Sequence, residues 1–146
     1  MLNEEQKNAV DELMNFVFSD ERYAILTGPA GTGKTYTIYS VLEEYFNLVE
    51  INKLISPNEP LKLWYLTATT NKAKQALQEK FPNREVTTIH SLLGLSVYKG
   101  NLVKRRDAKL HEHRPSIVVI DECSYIDNKL LEHIEKLPKH VKVIFI

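Results

Sequence analysis

Residues 23–35 read Y-A-I-L-T-G-P-A-G-T-G-K-T, and the fold turns on this stretch. The apolar run at residues 23–26 reads as a buried strand, and Gly28, Gly33, Lys34 and Thr35 fit the spacing G-x-x-x-x-G-K-[ST]. That spacing has physical content. Gly28, Gly31 and Gly33 permit backbone conformations that a side chain forbids, and they bring N–H groups close to an anion. A helix opening at Gly33 directs its positive end to the same place. Lys34 adds a point charge suited to β- and γ-phosphates, and the Thr35 hydroxyl is placed to ligate Mg²⁺. The competing reading is a glycine-rich β-to-α turn that binds nothing. The strand before and the helix after are the context a phosphate loop requires, and they favour it.

The 146-residue length predicts one domain, residues 1–146. With 43% hydrophobic and 26% charged residues, the chain is composed like a globular protein with a core of its own. Its formal net charge is zero, so any surface for a polyanion has to be local. The single cysteine, Cys123, excludes an intramolecular disulfide and a cysteine zinc cluster, and points to a reducing compartment. The polar start N-E-E-Q-K does not read as a signal peptide, and no apolar run approaches the roughly 20 residues of a membrane span. A cytoplasmic location without membrane contact is the expectation.

Outward from the loop, residues 3–18 carry Val10, Leu13, Met14 and Val17 at helical spacing. Asn3 and Gln6 stand at capping-box spacing. Gln6 has a second reading, because a carboxamide can pair two-pronged with the N6 and N7 edge of adenine. The helix after the loop spans residues 33–48, with Ile38, Val41, Leu42, Tyr45 and Phe46 inward, and residues 47–60 form a connection rich in turn residues. A strand at 61–67 leads to a helix at 71–81 whose inner face is Ala73, Ala76, Leu77 and Phe81. A short strand at 85–89 and a helical turn ending at Gly94 come next. Alternation on either side of Lys99-Gly100-Asn101 predicts a hairpin at 95–106. Residues 99–114 hold six Lys or Arg against two acids, and the H-x-H of His111 and His113 lacks partners at a metal-ligand spacing. The run S-I-V-V-I at 116–120 reads as a strand buried on both faces. A helix at 128–137 and a buried strand at 140–146 complete the chain. Strands alternating with helices make this an α/β protein, with a mostly parallel sheet of about five strands and helices on both faces.

Three further stretches carry chemistry. The apolar strand at 117–120 ends in Asp121-Glu122, the arrangement that sets a carboxylate beside the metal in phosphate-loop enzymes. Asp121 would hold the metal and Glu122 would polarise a water as general base; the alternative is a strand that ends in two surface polar residues. The stretch L-T-A-T-T-N-K-A-K-Q-A-L at 66–77 ends a strand in hydroxyls and opens a helix with Asn71 and Lys72, groups suited to nucleic-acid phosphates. Taken alone, an ordinary helix capped by Thr70 is the better reading. The stretch T-T-I-H-S-L-L at 87–93 is, taken alone, a structural turn with a hydrogen-bonded histidine.

Together, in this order, the motifs resemble the superfamily 1 DNA helicases of the RecD/Dda type. G-P-A-G-T-G-K-T resembles their motif I, L-T-A-T-T-N-K-A motif Ia, T-T-I-H-S-L-L motif Ib, and I-D-E-C-S-Y-I-D motif II. L-N-E-E-Q-K-N-A-V is similar to the N-terminal segment whose glutamine contacts adenine. The resemblance implies a RecA-like phosphate-loop domain with a small hairpin insertion, and an ATP- and Mg²⁺-dependent motor that moves along single-stranded DNA, 5′ to 3′, and unwinds duplex. It implies nucleotide contacts at Gln6, Gly28, Pro29, Ala30, Gly31, Thr32, Gly33, Lys34, Thr35 and Tyr36, metal contacts at Thr35 and Asp121, and catalytic roles for Lys34 and Glu122. Thr67, Asn71, Lys72, Thr88, His90 and Ser91 become DNA contacts, and Tyr98 and Leu102 flank the tip of a hairpin that pries at the fork. Cys123 and Tyr125 depart from the hydrophobic residue and the Met common at those positions in the family. The pattern also implies a second RecA-like domain whose arginines complete the ATP site, so that residues 1–146 alone would turn over ATP negligibly. The alternatives are a non-catalytic ATP-gated DNA-binding module and a nucleotide kinase.

Overall fold

The computed structural model describes residues 1–29, 33–58, 60–105 and 107–146. Its centre is a five-stranded sheet, all parallel. In chain order the strands are β1 (Tyr23–Ile25), β2 (Leu63–Ala68), β3 (Val86–Thr88), β6 (Ser116–Asp121) and β7 (Val141–Phe145). Across the sheet they run β1-β7-β6-β2-β3. The remaining strands, β4 (Leu95–Tyr98) and β5 (Asn101–Lys104), form a separate antiparallel hairpin.

Alternation along the central strands builds two cores. On β6, Ile117 and Val119 face one cluster while Val118 and Ile120 face the other, and all four are fully buried. The first cluster is roofed by α1 (Glu4–Val17), α2 (Lys34–Asn52) and α3 (Asn71–Lys80) through Val10, Val17, Ile38, Val41 and Leu77. The second takes Ile89 and Leu92 of α4 (Ile89–Leu93) and Leu130 and Ile134 of α5 (Asn128–Glu135). Lys142 alternates into the first face, over the Phe16 ring. Its ammonium donates to the Ser19 and Glu21 carbonyls just beyond α1, and burial lowers its pKa.

Several expectations change. The strand before the phosphate loop is not buried: Tyr23 is 39% and Ile25 67% exposed. β7 inserts between β1 and β6, so β1 has a single sheet neighbour among the described residues. α2 runs to Asn52 rather than 48, because no breaker interrupts residues 49–52 and Val49 still packs on the core. Phe46 is only half-buried. Ala76 is exposed; the inward row of α3 continues through Leu77 to Phe81, while Gln78 ties the following turn by bonding the Phe81 and Arg84 carbonyls and the Val86 N–H.

The edge position of β1 has a measurable consequence. Chemical denaturation of Ile117→Ala is expected to show a loss of about 2–5 kcal/mol, whereas Ile25→Ala is expected to stay within about 0.5 kcal/mol of wild type.

Candidate nucleotide and nucleic-acid site

Because every strand of the main sheet points the same way, the loops after β1, β2, β3 and β6 emerge at one edge. Ligands in open α/β sheets bind outside such an edge. The loop after β1 delivers Gly33 in the left-handed region, φ 80°, as the cap of α2. Gly33 has no side chain to cap this helix, and a helix N-terminus of this kind suits an anion. Lys34 and Thr35 begin the helix and are half-buried. Ala30, Gly31 and Thr32, expected in the loop, lie outside the described residues.

Gln6 satisfies one of its two readings visibly. Its Oε1 accepts the Asn3 N–H at 3.0 Å while Asn3 Oδ1 accepts the Gln6 N–H at 2.8 Å, a complete capping box. The other end of the same carboxamide, Nε2, lies over Gly33, where an added Cβ would collide with it. The cap therefore places the amide of Gln6 against Gly33. A cleft of about 570 Å³ opens beside this point, lined by Gly33, Lys34, Thr35 and Tyr36 and, from farther along α2 and the end of α3, by Tyr39, Lys80 and Phe81. The rings of Tyr36 and Tyr39 are stacked, 6.4 Å apart. Tyr39, Lys80 and Phe81 had no signal as a group in the sequence, since only the packing of α3 against α2 brings them to the cleft.

The acidic turn stands two strands away. β7 separates β1 from β6, which at about 4.8 Å per strand puts the two strand ends roughly 10 Å apart, room for a phosphate and its metal. Asp121 closes β6 and is half-buried. Glu122 is exposed and left-handed, φ 58° and ψ 47°, a conformation that costs a non-glycine residue about 1–3 kcal/mol. Its N–H donates to Asp121 Oδ1 at 2.8 Å, and its carbonyl accepts the Thr69 hydroxyl at 3.0 Å and the Tyr125 N–H at 3.1 Å. The Thr69 N–H reaches the Asp121 carbonyl at 3.3 Å, and the Cys123 N–H reaches the Ile146 carbonyl at 2.9 Å.

The expected DNA contacts divide. In register, Asp121, Ala68 and Thr88 stand in a row across β6, β2 and β3. Beyond that row Asn71 and Lys72 are exposed on the first turn of α3, whose cap is Thr70, bonded to the Ala73 N–H. Thr88 caps α4 through the Ser91 N–H, and Thr88, His90 and Ser91 are half-buried on the same edge. Thr67 is a correction: it is fully buried, its hydroxyl donating to the Val119 carbonyl at 2.8 Å, so it braces two strands and presents nothing to a ligand.

The hairpin turn consists of Lys99 and Gly100, both at positive φ, and Asn101 pairs with Tyr98 instead of sharing the tip. Tyr98 is 45% exposed, with the Arg105 guanidinium 4.3 Å and the Lys99 ammonium 5.4 Å from its ring centre. Leu102 is half-buried against the second core. Lys129 of α5 donates to the Gly100 carbonyl at 2.9 Å and so fixes the tip, a role with no sequence signal. Two of the local cations are paired, Lys104 with Glu112 and Lys109 with Glu85, each at 3.6 Å, and Arg106 lies outside the described residues.

Fold and site together are those of a phosphate-loop nucleotide-binding domain. Residues 6–146 match the AAA domain family, and the chain belongs to it, as an N-terminal motor domain of the superfamily 1 helicase type. It is 30% identical over 133 residues to the ATP-dependent DNA helicase Dda of Enterobacteria phage T4, covering 90% of this chain and 28% of that protein. It is 27% identical to an ATP-dependent DNA helicase of Trypanosoma brucei brucei, over 90% of this chain and 12% of the relative. It is 28% identical to the RecD subunit of the RecBCD enzyme of Haemophilus influenzae, over 72% and 18%. The chain thus spans under a third of each of these relatives. Among the described residues no helix is long and apolar enough to cross a membrane.

Burial lowers the pKa of His90, partly offset by Asp127. The unfolded chain therefore takes up a proton near the ordinary histidine value, about 6.5, before the folded one does. Stability from this group is complete above that value and declines as pH falls through the lower folded one. Denaturation between pH 7.5 and 5 should show that decline, with a shallower slope in His90→Asn.

Proposed function

We propose that the chain is the ATP-binding motor domain of a DNA helicase that moves along single-stranded DNA. The observation that carries this is the meeting, at one sheet edge, of a glycine-led helix N-terminus bearing Lys34, the Asp121-Glu122 turn, and the exposed Asn71 and Lys72. Its relatives' names as ATP-dependent DNA helicases support the reading.

The residues present fit a magnesium nucleotide. The first N–H groups of α2 and the Lys34 ammonium would bind the phosphates, with Gly28 and Pro29 on the approach and Gln6 and Tyr36 toward the base. Thr35 and Asp121 would hold Mg²⁺, which when bound neutralises charge on the β- and γ-phosphate oxygens. Glu122 would polarise the attacking water, and the arginines of a second RecA-like domain would complete the site. Asn71, Lys72, Thr88, His90 and Ser91 would carry the single strand, with 5′ to 3′ movement. His90 acts there as a neutral hydrogen-bonding group, because burial lowers its pKa. At the hairpin, exposed Tyr98 is the fork-facing ring and Leu102 its support from below.

Calorimetry with Mg·ADP tests the core of the reading. Lys34→Ala should lose at least about tenfold in affinity, the scale of one charge-assisted hydrogen bond; equal affinity in the two chains would remove the assignment. Asn3→Ala should cost about 1 kcal/mol of stability and shift nucleotide affinity only through the loosened Gln6, whereas Gln6→Ala should lose both together. For the hairpin, Tyr98→Ala should weaken binding to a forked DNA by about 5- to 100-fold, one stacking contact, with single-strand affinity unchanged; a parallel loss on both substrates would make Tyr98 an ordinary strand contact.

A further inference from the structure

We infer that Thr69 is a positioning residue that links occupancy of the single-strand surface to the geometry of the acidic turn; the inference rests on the nucleotide and DNA reading above. Thr69 is the one residue between the end of β2 and the cap of α3, with Ala68 before it and Thr70 after. On its far side lies Glu122. The Thr69 hydroxyl donates to the Glu122 carbonyl at 3.0 Å and the Thr69 N–H to the Asp121 carbonyl at 3.3 Å. The two bonds grip successive carbonyls of the turn that carries both carboxylates. Glu122 occupies a left-handed conformation that a residue with a side chain holds only when its surroundings impose it. Thr69 is one of those surroundings, and the only side-chain hydroxyl recorded on that carbonyl among the described residues.

The other end of the same short segment is the candidate DNA surface. Thr70 bonds the Ala73 N–H to start α3, and Asn71 and Lys72, the next two residues, are exposed. A phosphate seated on Asn71 and Lys72 draws on the first turn of α3, and Thr69 is joined to that turn through a single residue. A shift there changes the grip on Glu122 directly, without any rearrangement of the buried strands β2 and β6. Cys123 N–H to Ile146 carbonyl holds the opposite side of the turn, so the segment at Thr69 is the side that can report on DNA. The relation works in both directions, because coupling between two binding sites is reciprocal.

The test uses the 146-residue chain, Mn²⁺ as metal probe, a fluorescent ADP analogue and an oligothymidylate. In wild type the oligothymidylate is expected to change nucleotide affinity by about 5-fold or more, the lower end of ordinary coupling. Thr69→Val, which keeps the shape and removes the hydroxyl, should bring that factor close to one while the DNA-free nucleotide affinity changes little and the melting temperature falls only by the loss of one hydrogen bond. Thr69→Ser, which restores the hydroxyl, should restore the factor. Wild-type nucleotide affinity indifferent to the oligothymidylate, or a Thr69→Val chain that responds as wild type does, overturns the inference and leaves the nucleotide site standing. A fall in the melting temperature of Thr69→Val with the coupling factor intact makes Thr69 a structural residue and also overturns it. Failure of the wild-type chain to bind the nucleotide at all overturns the reading beneath it as well.

Discussion

The arrangement depends on one constraint, the parallel pairing of β7 between β1 and β6. Parallel strands need crossover connections, and the crossovers put helices on both faces, so the sheet is buried and its loops are sorted by strand direction. All the loops with chemistry then leave from one edge. With β7 in the middle, the strand that leads to Lys34 and the strand that ends in Asp121 are held apart by one strand's width instead of touching. The strand that leads toward Lys34 and the strand that ends in Asp121 finish about a ligand's width apart because a third strand, with no chemistry of its own, stands between them.

The backbone around that gap is under local tension. Gly33 and Glu122 both have positive φ, but only glycine takes it without cost. At Gly33 the missing Cβ also gives Gln6 its place over the loop. At Glu122 the cost is offset by bonds from Asp121, Thr69 and Tyr125, contributed by β6 itself, the end of β2 and the short turn that follows. The Glu122 backbone is therefore held by its neighbours and not by its own conformational preference.

The side of the domain away from α1 and α2 is tuned differently. The hairpin is anchored by Leu95 and half-buried Leu102 in the second core and by Lys129 at its tip, which leaves Tyr98 as the exposed ring, held between two cations. Paired lysines at 104 and 109 reduce the free positive charge of a run that looks strongly basic when counted along the chain.

Much of this was legible in the residues. The phosphate loop, the apolar run into Asp121-Glu122, the capping box at Asn3 and Gln6 and the presence of a hairpin around Lys99-Gly100 are local patterns, and local sterics and hydrogen bonding are enough to specify them, although cross-strand pairing takes Asn101 out of the tip. The alternation of strand and helix gave a parallel sheet for the same reason. What the residues alone left open was every feature set by partners distant in sequence. Tyr23 and Ile25 have the composition of a buried strand, yet the lateral order of the sheet puts them at an edge. Thr67 has the chemistry of a phosphate contact, but β2 pairs with β6 and turns its hydroxyl inward to Val119. Lys129 at the hairpin tip and Thr69 against Glu122 are ordinary residues by composition. Their roles come from strand order and helix packing, which depend on which surfaces bury each other and which no short stretch of sequence encodes by itself.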